Sequence, residues 1–190
     1  MMQGLFFSLL FLLVTSVASA DENRAADFRL KTLDNQTVTL TDVLSQGPAV
    51  LSFWATWCRP CMAELPQLEE VYAAYKDKGV SVVAISVDDA RERAQVGQTA
   101  RRLGLSRPVA LDTQGQILGR YSPSRAVPYL VVVTPDGTIK SSHRGFSPEL
   151  RAEVEAELDA MLANSGGAVS TTEPAKTKAD APAGPAAGEE

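Results

Sequence analysis

Two cysteines, Cys58 and Cys61, stand three positions apart and are the residues of this sequence best suited to redox chemistry. The pair follows an apolar run at 49–53 and precedes a helical pattern, so we place it where a strand passes into a helix. A sulfur at a helix N-terminus faces unpaired N–H groups and the positive end of the helix dipole. This environment favours the thiolate, so we expect a lowered pKa for Cys58 and assign it the role of nucleophile.

Cys61 lies one turn into the helix, where its thiol can attack a mixed disulfide formed on Cys58. Between them, Pro60 stiffens the ring at a helix position where a missing N–H costs nothing, and the charge of Arg59 favours the thiolate further, and with it the reduced form. The alternative is a structural disulfide or a pair of buried thiols. A bridge across so few residues closes little chain and adds little stability, so the spacing favours redox activity.

Glu64 is the third candidate catalytic residue, three positions after Cys61. It falls on the apolar stripe of the same helix, close to Leu65 and Leu68, on a face that should pack against the core. An unpaired buried carboxylate is costly, so burial should raise the pKa of Glu64 and let it exchange a proton with Cys61 near neutral pH. The alternative is a glutamate that reaches solvent at the helix edge.

The rest of the central region alternates short strands with helices. Strands are predicted at 28–33 and 37–40, which form a hairpin around 34–36, and at 49–53, 80–87, 129–133 and, after the Asp136-Gly137 turn, 138–144. Helices are predicted from Cys61 to before Gly79, at 90–103, and from Pro148 with Ser147 as its cap. The arginines of the second helix predict a solvated face and not a binding patch, since Asp88, Asp89 and Glu92 stand among them. This order predicts an α/β fold with a mixed sheet flanked by helices.

Charge and ligand counts exclude several function classes. Lysine and arginine total 18 against 23 aspartates and glutamates, a net charge of −5, which lacks the basic surface that nucleic-acid binding requires. One histidine and two cysteines are too few for a four-ligand zinc site without help from carboxylates. We therefore expect no nucleic-acid partner, no metal and no cofactor other than the cysteine pair itself.

Both ends of the chain differ from the central domain, which we bound at residues 25–163. An apolar run at 5–14 followed by Ala18-Ser19-Ala20 predicts a signal peptide at residues 1–20, cleaved before Asp21. The segment before this run carries no Lys or Arg, which leaves an uncleaved membrane anchor as the alternative. Residues 165–190, rich in Ala, Gly and Pro, cannot bury enough surface to offset their ordering entropy and predict a disordered tail.

Residues 52–61 read Ser52-Phe53-Trp54-Ala55-Thr56-Trp57-Cys58-Arg59-Pro60-Cys61. This segment resembles the active-site segment of the thioredoxin superfamily. Within that superfamily the chain resembles the exported thiol–disulfide oxidoreductases of the TlpA/ResA/DsbE type. The resemblance extends from Phe28 to about Leu162 and includes the N-terminal hairpin and a helical insert after Val87. It implies a thioredoxin-like mixed β-sheet flanked by helices.

The resemblance also implies roles for residues around the cysteines. Pro128 matches the proline that is cis in this family and lies against the disulfide. Val127 then offers backbone groups to a bound substrate chain. Together with Trp57, Arg59 and Pro60, these two residues form the expected substrate-binding set.

The resemblance supports Glu64 as well. Exported proteins of this type commonly carry a functional glutamate at the matching place, whereas ordinary thioredoxins have a buried aspartate at the position of Ser52. The sequence departs from the family at Ala126, where glycine is frequent, and at Tyr129, where smaller or polar residues are common. Both departures bear on the substrate groove and leave the identity of the partner open.

The leading hypothesis is an enzyme that exchanges electrons with protein disulfides outside the cytoplasm, in the periplasm or an equivalent compartment. The resemblance implies that it reduces clients such as apocytochrome c or a copper-site subunit. A membrane or periplasmic electron donor then resets the cysteine pair. Contact with the membrane is expected only if the N-terminal segment is retained.

Two alternatives share the wider fold. A copper-delivery module of the Sco type would bind metal through Cys58, Cys61 and His143, although the cysteines of such modules are usually separated by three residues. A thiol peroxidase of the peroxiredoxin type would need Pro and Thr where Leu51 and Ala55 stand. The copper alternative therefore requires His143 to approach the cysteines, and the peroxidase alternative lacks its motif.

Overall fold

The structure, a computed structural model, describes residues 23–165. The predicted signal peptide at 1–20 lies outside the described residues, and so does the predicted tail apart from Ser165, which ends the last helix. Among the helices of residues 23–165, none combines the length and the apolar character needed to span a bilayer.

The strands of the described region form one mixed sheet. Its strands are Arg29–Thr32 (β1), Thr37–Thr39 (β2), Ala49–Trp54 (β3), Ser81–Ser86 (β4), Val109–Leu111 (β5), Tyr129–Val133 (β6) and Ile139–Arg144 (β7). They lie in the order β2-β1-β5-β4-β3-β6-β7. The pairs β3–β4 and β4–β5 are parallel and the other pairs are antiparallel. The predicted mixed sheet and N-terminal hairpin are confirmed.

Helices cover both faces of this sheet. They are Leu40–Leu44 (α1), Cys61–Tyr75 (α2), Arg93–Arg102 (α3), Gln116–Tyr121 (α4) and Leu150–Ser165 (α5). Buried side chains of α1 and α4 pack in one core cluster, and those of α2, α3 and α5 pack in two clusters on the opposite face. This arrangement is the predicted thioredoxin-like fold, with α3 as the helical insert after β4.

The central strand β3 positions the site, because it runs between β4 and β6 and is buried along its whole length. Successive side chains of a strand point to opposite faces. Leu51 and Phe53 therefore join the cluster under α1 and α4, whereas Val50 and Trp54 pack on the side of α2. Ser52 lies between those two residues, so a hydroxyl faces α2 from the middle of an apolar strand.

Three short elements, α1, α4 and β5, are absent from the sequence prediction. They have 5, 6 and 3 residues, which is too short for a periodic pattern to identify. A local side-chain contact organises the start of α4. The buried carboxylate of Asp112 accepts the backbone N–H groups of Gln116, Ile117 and Leu118 at 3.0, 2.9 and 2.9 Å.

Two predicted helix starts were wrong. Residues 90–92 form a 3₁₀ turn with Asp89 as its cap, so α3 begins only after this turn and not at residue 90. The last helix was predicted to begin at Pro148. Instead, Ser147 Oγ accepts the N–H of Glu149 at 3.1 Å within a turn, and α5 begins after it. A capping residue in the sequence places a helix start only to within one or two residues. The exact start depends on which N–H group its side chain accepts, and only the structure shows this.

Candidate active site

The cysteine pair lies in the turn that joins β3 to α2, where the sequence placed it. Cys58 and Cys61 form a disulfide, with their Cα atoms 5.3 Å apart. The N–H of Cys58 donates to the carbonyl of Ala55 at 3.1 Å and so closes the turn that follows β3. Cys61 is the first residue of α2 and is fully enclosed, whereas Cys58 retains a small exposed fraction. Cys58 is therefore the cysteine that an incoming disulfide meets first.

The sulfur of Cys58 lies at the N-terminus of α2. It accepts a hydrogen bond from the N–H of Cys61 at 3.2 Å. Pro60 precedes the first helical residue with helical backbone angles, and it carries no N–H that would need a partner there. The hydrogen bond and the helix dipole both stabilise negative charge on this sulfur when the disulfide is reduced.

Glu64 is buried against β3 and is only 1% exposed, so its predicted burial is confirmed. The hydroxyl of Ser52 donates to Glu64 Oε1 at 3.1 Å. Burial raises the pKa of Glu64 from 4.5 to about 7, while the Ser52 hydrogen bond and the charge of Arg107 act in the opposite direction. Residues three apart are neighbours on a helix surface, so the Glu64 carboxyl lies beside Cys61. With a pKa of about 7, Glu64 itself gains or loses its proton near neutral pH.

An ion pair that the sequence analysis missed lies against the same helix. Arg107 Nη1 contacts Glu69 Oε2 at 2.5 Å, and Arg107 Nη2 donates to the carbonyl of Leu65 at 3.2 Å. Arg107 is only 3% exposed. The sequence around it carries no signal for burial, since an arginine just before Pro108 in a connection reads as an ordinary surface charge.

A second buried acid, Asp88, holds the opposite end of the cysteine turn. Its carboxylate accepts the N–H of Thr56 at 3.0 Å and the Thr56 hydroxyl at 2.6 Å. It also accepts the hydroxyl of Ser86 at 2.8 Å. Asp88, which in sequence stands among the charges around the second predicted helix, is buried because the parallel pairing of β3 and β4 brings the ends of both strands together.

The expected substrate-binding residues surround the disulfide on several segments. The Val127–Pro128 peptide bond is cis, as the resemblance implies, and Val127 packs against the cluster that contains both cysteines. Trp57 is 66% exposed, and Arg59 and Pro60 are exposed beside it. Their position around the disulfide agrees with the expectation, and their binding roles stay predictions.

Phe146 is an exposed aromatic residue that the sequence analysis missed. The N–H of Gly145 donates to the carbonyl of Pro128 at 3.0 Å, which places the next residue, Phe146, beside the cis-proline segment. Phe146 is 38% exposed, and among residues 23–165 it and Trp57 are the exposed large hydrophobic side chains. No pattern in the sequence identifies it, because it follows the end of β7 and belongs to no periodic element.

His143 lies on β7 and faces α5. Its Nδ1 is 3.4 Å from Glu153 Oε2, and its Nε2 is 3.8 Å from Glu157 Oε1. Within the described part of the chain, no group of three or more His, Cys, Asp or Glu side chains is arranged to hold a metal ion. The structure therefore does not bring His143 to the cysteines, as the copper alternative requires.

Comparisons with known proteins agree with this geometry. Residues 22–142 match the AhpC/TSA family. The thiol–disulfide oxidoreductase ResA of Oceanobacillus iheyensis is 36% identical, over 73% of this chain and 79% of the relative. Among solved structures, a putative thiol:disulfide interchange protein DsbE from Chlorobium tepidum aligns with a TM-score of 0.66 and 28% identity, over 74% of this chain and 96% of that one. A putative protein disulfide isomerase from Bacteroides thetaiotaomicron aligns with a TM-score of 0.68 and 26% identity, over 76% and 91%.

Proposed function

Because the chain belongs to the AhpC/TSA family of thioredoxin-like proteins and is a thiol–disulfide oxidoreductase of the ResA type, we propose that it reduces disulfides of client proteins outside the cytoplasm. The observation that carries this proposal is the pairing of Cys58, whose sulfur lies at the start of α2, with a buried acid on the same helix. Together with Cys61, these two residues provide a nucleophile, a resolving thiol and a proton acceptor within residues 58–64.

The reaction begins with the reduced pair. The Cys58 thiolate attacks one sulfur of the client disulfide, the client S–S bond breaks, and a mixed disulfide forms while the other client sulfur leaves as a thiolate. Cys61 then loses its proton and attacks the Cys58 sulfur. The mixed disulfide breaks, the second client thiolate is released, and the Cys58–Cys61 disulfide forms. Two electrons pass from the pair to the client, and an external donor must return two electrons to the pair.

Glu64 supports the second step. Cys61 is fully buried, so its proton needs an acceptor inside the protein. Glu64 lies on the same helix face, and its pKa of about 7 allows it to take and release a proton near neutral pH. Replacing Glu64 with Gln keeps the shape and removes the proton acceptor. E64Q is therefore expected to shift the thiol titration and slow exchange without unfolding the domain; an unchanged titration would remove Glu64 from the mechanism.

Client docking is supported by the exposed apolar side chains beside the disulfide. Trp57 precedes Cys58, and Phe146 is held beside Pro128 by the backbone hydrogen bond of Gly145. Exposed hydrophobic patches mark protein interaction sites, and these two side chains are the large exposed hydrophobic ones within residues 23–165. We propose that they flank the client segment that carries the disulfide, and that the backbone of Val127 pairs with it.

The cellular setting is proposed from the sequence and the relatives. We propose that residues 1–20 direct export, that residues 25–163 form the catalytic domain and that the residues after Ser165, which ends α5, act as a disordered tail. The clients proposed are apocytochrome c or a copper-site subunit, with a membrane or periplasmic protein as electron donor.

One measurement tests the direction of electron flow. The reduction potential of the pair in glutathione or dithiothreitol buffers is expected near or below that of thioredoxin, ~−270 mV, which marks a reductant. A value near ~−120 mV would mark an oxidant and contradict the proposal. Insulin reduction checks catalysis, and calorimetric titration with Cu(I) and Cu(II) checks the copper alternative. The peroxidase alternative gains no support, because Leu51 and Ala55 occupy the positions of its Pro and Thr.

A further inference from the structure

The buried Arg107–Glu69 pair has no part in the reaction described above, although it lies next to Glu64. Arg107 belongs to the connection between α3 and β5, far in sequence from α2. Its Nη2 donates to the carbonyl of Leu65, the residue that follows Glu64. Its Nη1 contacts Glu69, one helical turn after Leu65. These two contacts hold the guanidinium alongside α2, beside the helical turn that follows Glu64.

The positive charge of this pair is less screened than the negative one. Glu69 has an 18% exposed side chain, and its Oε1 also accepts the N–H of Ser106 at 2.8 Å. The Arg107 side chain is completely enclosed, and within residues 23–165 its Nε has no hydrogen-bond partner. Charges act over longer distances in a protein interior than in water, so Arg107 exerts a net positive field on its surroundings.

After its ion-pair partner Glu69, Glu64 is the acid that interacts most strongly with Arg107. Its hydrogen bond comes from the neutral hydroxyl of Ser52, which cannot compensate a buried negative charge by itself. The other ionisable groups near the start of α2 are the two cysteines, which are neutral in the disulfide, and Arg59, whose side chain is exposed to solvent. Tyr72 also interacts with Arg107.

We propose that Arg107 is a positioning residue for thiol–disulfide exchange, whose enclosed charge stabilises ionised Glu64 while Glu69 limits that effect. The proposal rests on the proton-transfer role proposed above for Glu64. It explains how a carboxyl with so little exposure can ionise at all and so accept the proton of Cys61. The charge of Arg107 lowers the pKa of Glu64, in the direction that the proposal needs, against the larger effect of burial.

Two charge-removing variants test the proposal in opposite directions. In R107M the cation is lost, so the ionisation constant of Glu64 is expected to fall about threefold, less than on loss of the Ser52 hydrogen bond, and its titration to move to higher pH. In E69Q the cation loses its partner, so the titration of Glu64 moves to lower pH. The double variant is expected between the two. Infrared or NMR detection of the Glu64 carboxyl in the oxidised full chain gives the readout, and E64Q identifies its signal.

A merely structural ion pair would behave differently. Both single variants would then lower the melting temperature, and the titration of Glu64 would stay unchanged or move in the same direction in both. Either result overturns the proposal. R107K retains the charge and is expected to keep the titration close to wild type; should R107M fail to fold, the downward shift in E69Q decides. Failure of the proton-transfer role is seen separately, as normal exchange in E64Q.

Discussion

Two buried carboxylates lie on either side of the cysteine turn, and they differ in the donors that surround them. Asp88 accepts three kinds of hydrogen bond, from the Thr56 N–H, the Thr56 hydroxyl and the Ser86 hydroxyl. Glu64 accepts the Ser52 hydroxyl. Both side chains are removed from solvent to a similar extent, so burial alone does not distinguish them.

The difference in donors separates a structural acid from a reactive one. Asp88 joins the end of β4 to the residue that precedes Trp57, and its hydrogen bonds hold the entry to the turn in one conformation. Glu64 has few donors to stabilise its charge, so its proton is retained until near neutral pH. A carboxylate that is well supplied with hydrogen bonds fixes backbone, and one that is poorly supplied can exchange protons.

The largest expected effect is on the pH dependence of stability, and it comes from Glu64. The pKa of Glu64 is raised to about 7 from 4.5, so the folded state binds more protons than the unfolded state between these values. Stability is therefore lost as pH rises through this window, by about 3 kcal/mol. Urea denaturation of the oxidised protein from pH 4.5 to 8 measures this loss, which E64Q is expected to abolish. The exposed Glu149 offers a control, since E149Q should retain the loss; equal curves for wild type and E64Q would contradict the assignment.

Replacement of Asp88, the structural acid, is expected to have a smaller effect on stability. D88A removes the acceptor for Thr56 and Ser86 and is expected to cost about 2 kcal/mol of unfolding free energy. D88N keeps one acceptor oxygen and should lose less. The pH profile of insulin reduction should keep its midpoint in D88A, because Glu64 is untouched. A displaced midpoint would show that the two acids do not act separately.

The smallest effect is expected from replacement of Ser52, whose hydroxyl donates to Glu64, and it is an effect on the titration of Glu64. S52A removes a hydrogen bond that lowers the pKa of Glu64, so the titration should move to higher pH, by the equivalent of about 1 kcal/mol. S52T keeps a hydroxyl and serves as the matched control. Carboxyl titration of the oxidised protein measures the shift, and movement to lower pH in S52A would be inconsistent with the hydrogen bond seen here.

Local pattern was enough to predict much of the site. The spacing of Cys58 and Cys61, their place between an apolar run and a helix, and the position of Glu64 on that helix all depend on residues close in sequence. The predicted burial of Glu64 followed from the period of the helix alone. The resemblance added the cis bond at Pro128, which spacing does not reveal.

The remaining contacts join residues far apart in the chain, and no local pattern identifies them. Thr56 meets Asp88 across 32 positions, and Leu65 meets Arg107 across 42. The short elements α1, α4 and β5 were missed for a different reason, because elements of three to six residues are too short to show a periodic pattern.

By itself the sequence determined which atoms can do chemistry here, since helix period and residue type depend on neighbours along the chain. Tertiary structure alone decided which charges and donors surround those atoms. The order of the strands brings Asp88 to Thr56, and the return of the chain from α3 to β5 brings Arg107 to α2. Proton affinity in an interior is set by such neighbours, because a low-dielectric environment leaves a buried charge dependent on the few groups that touch it.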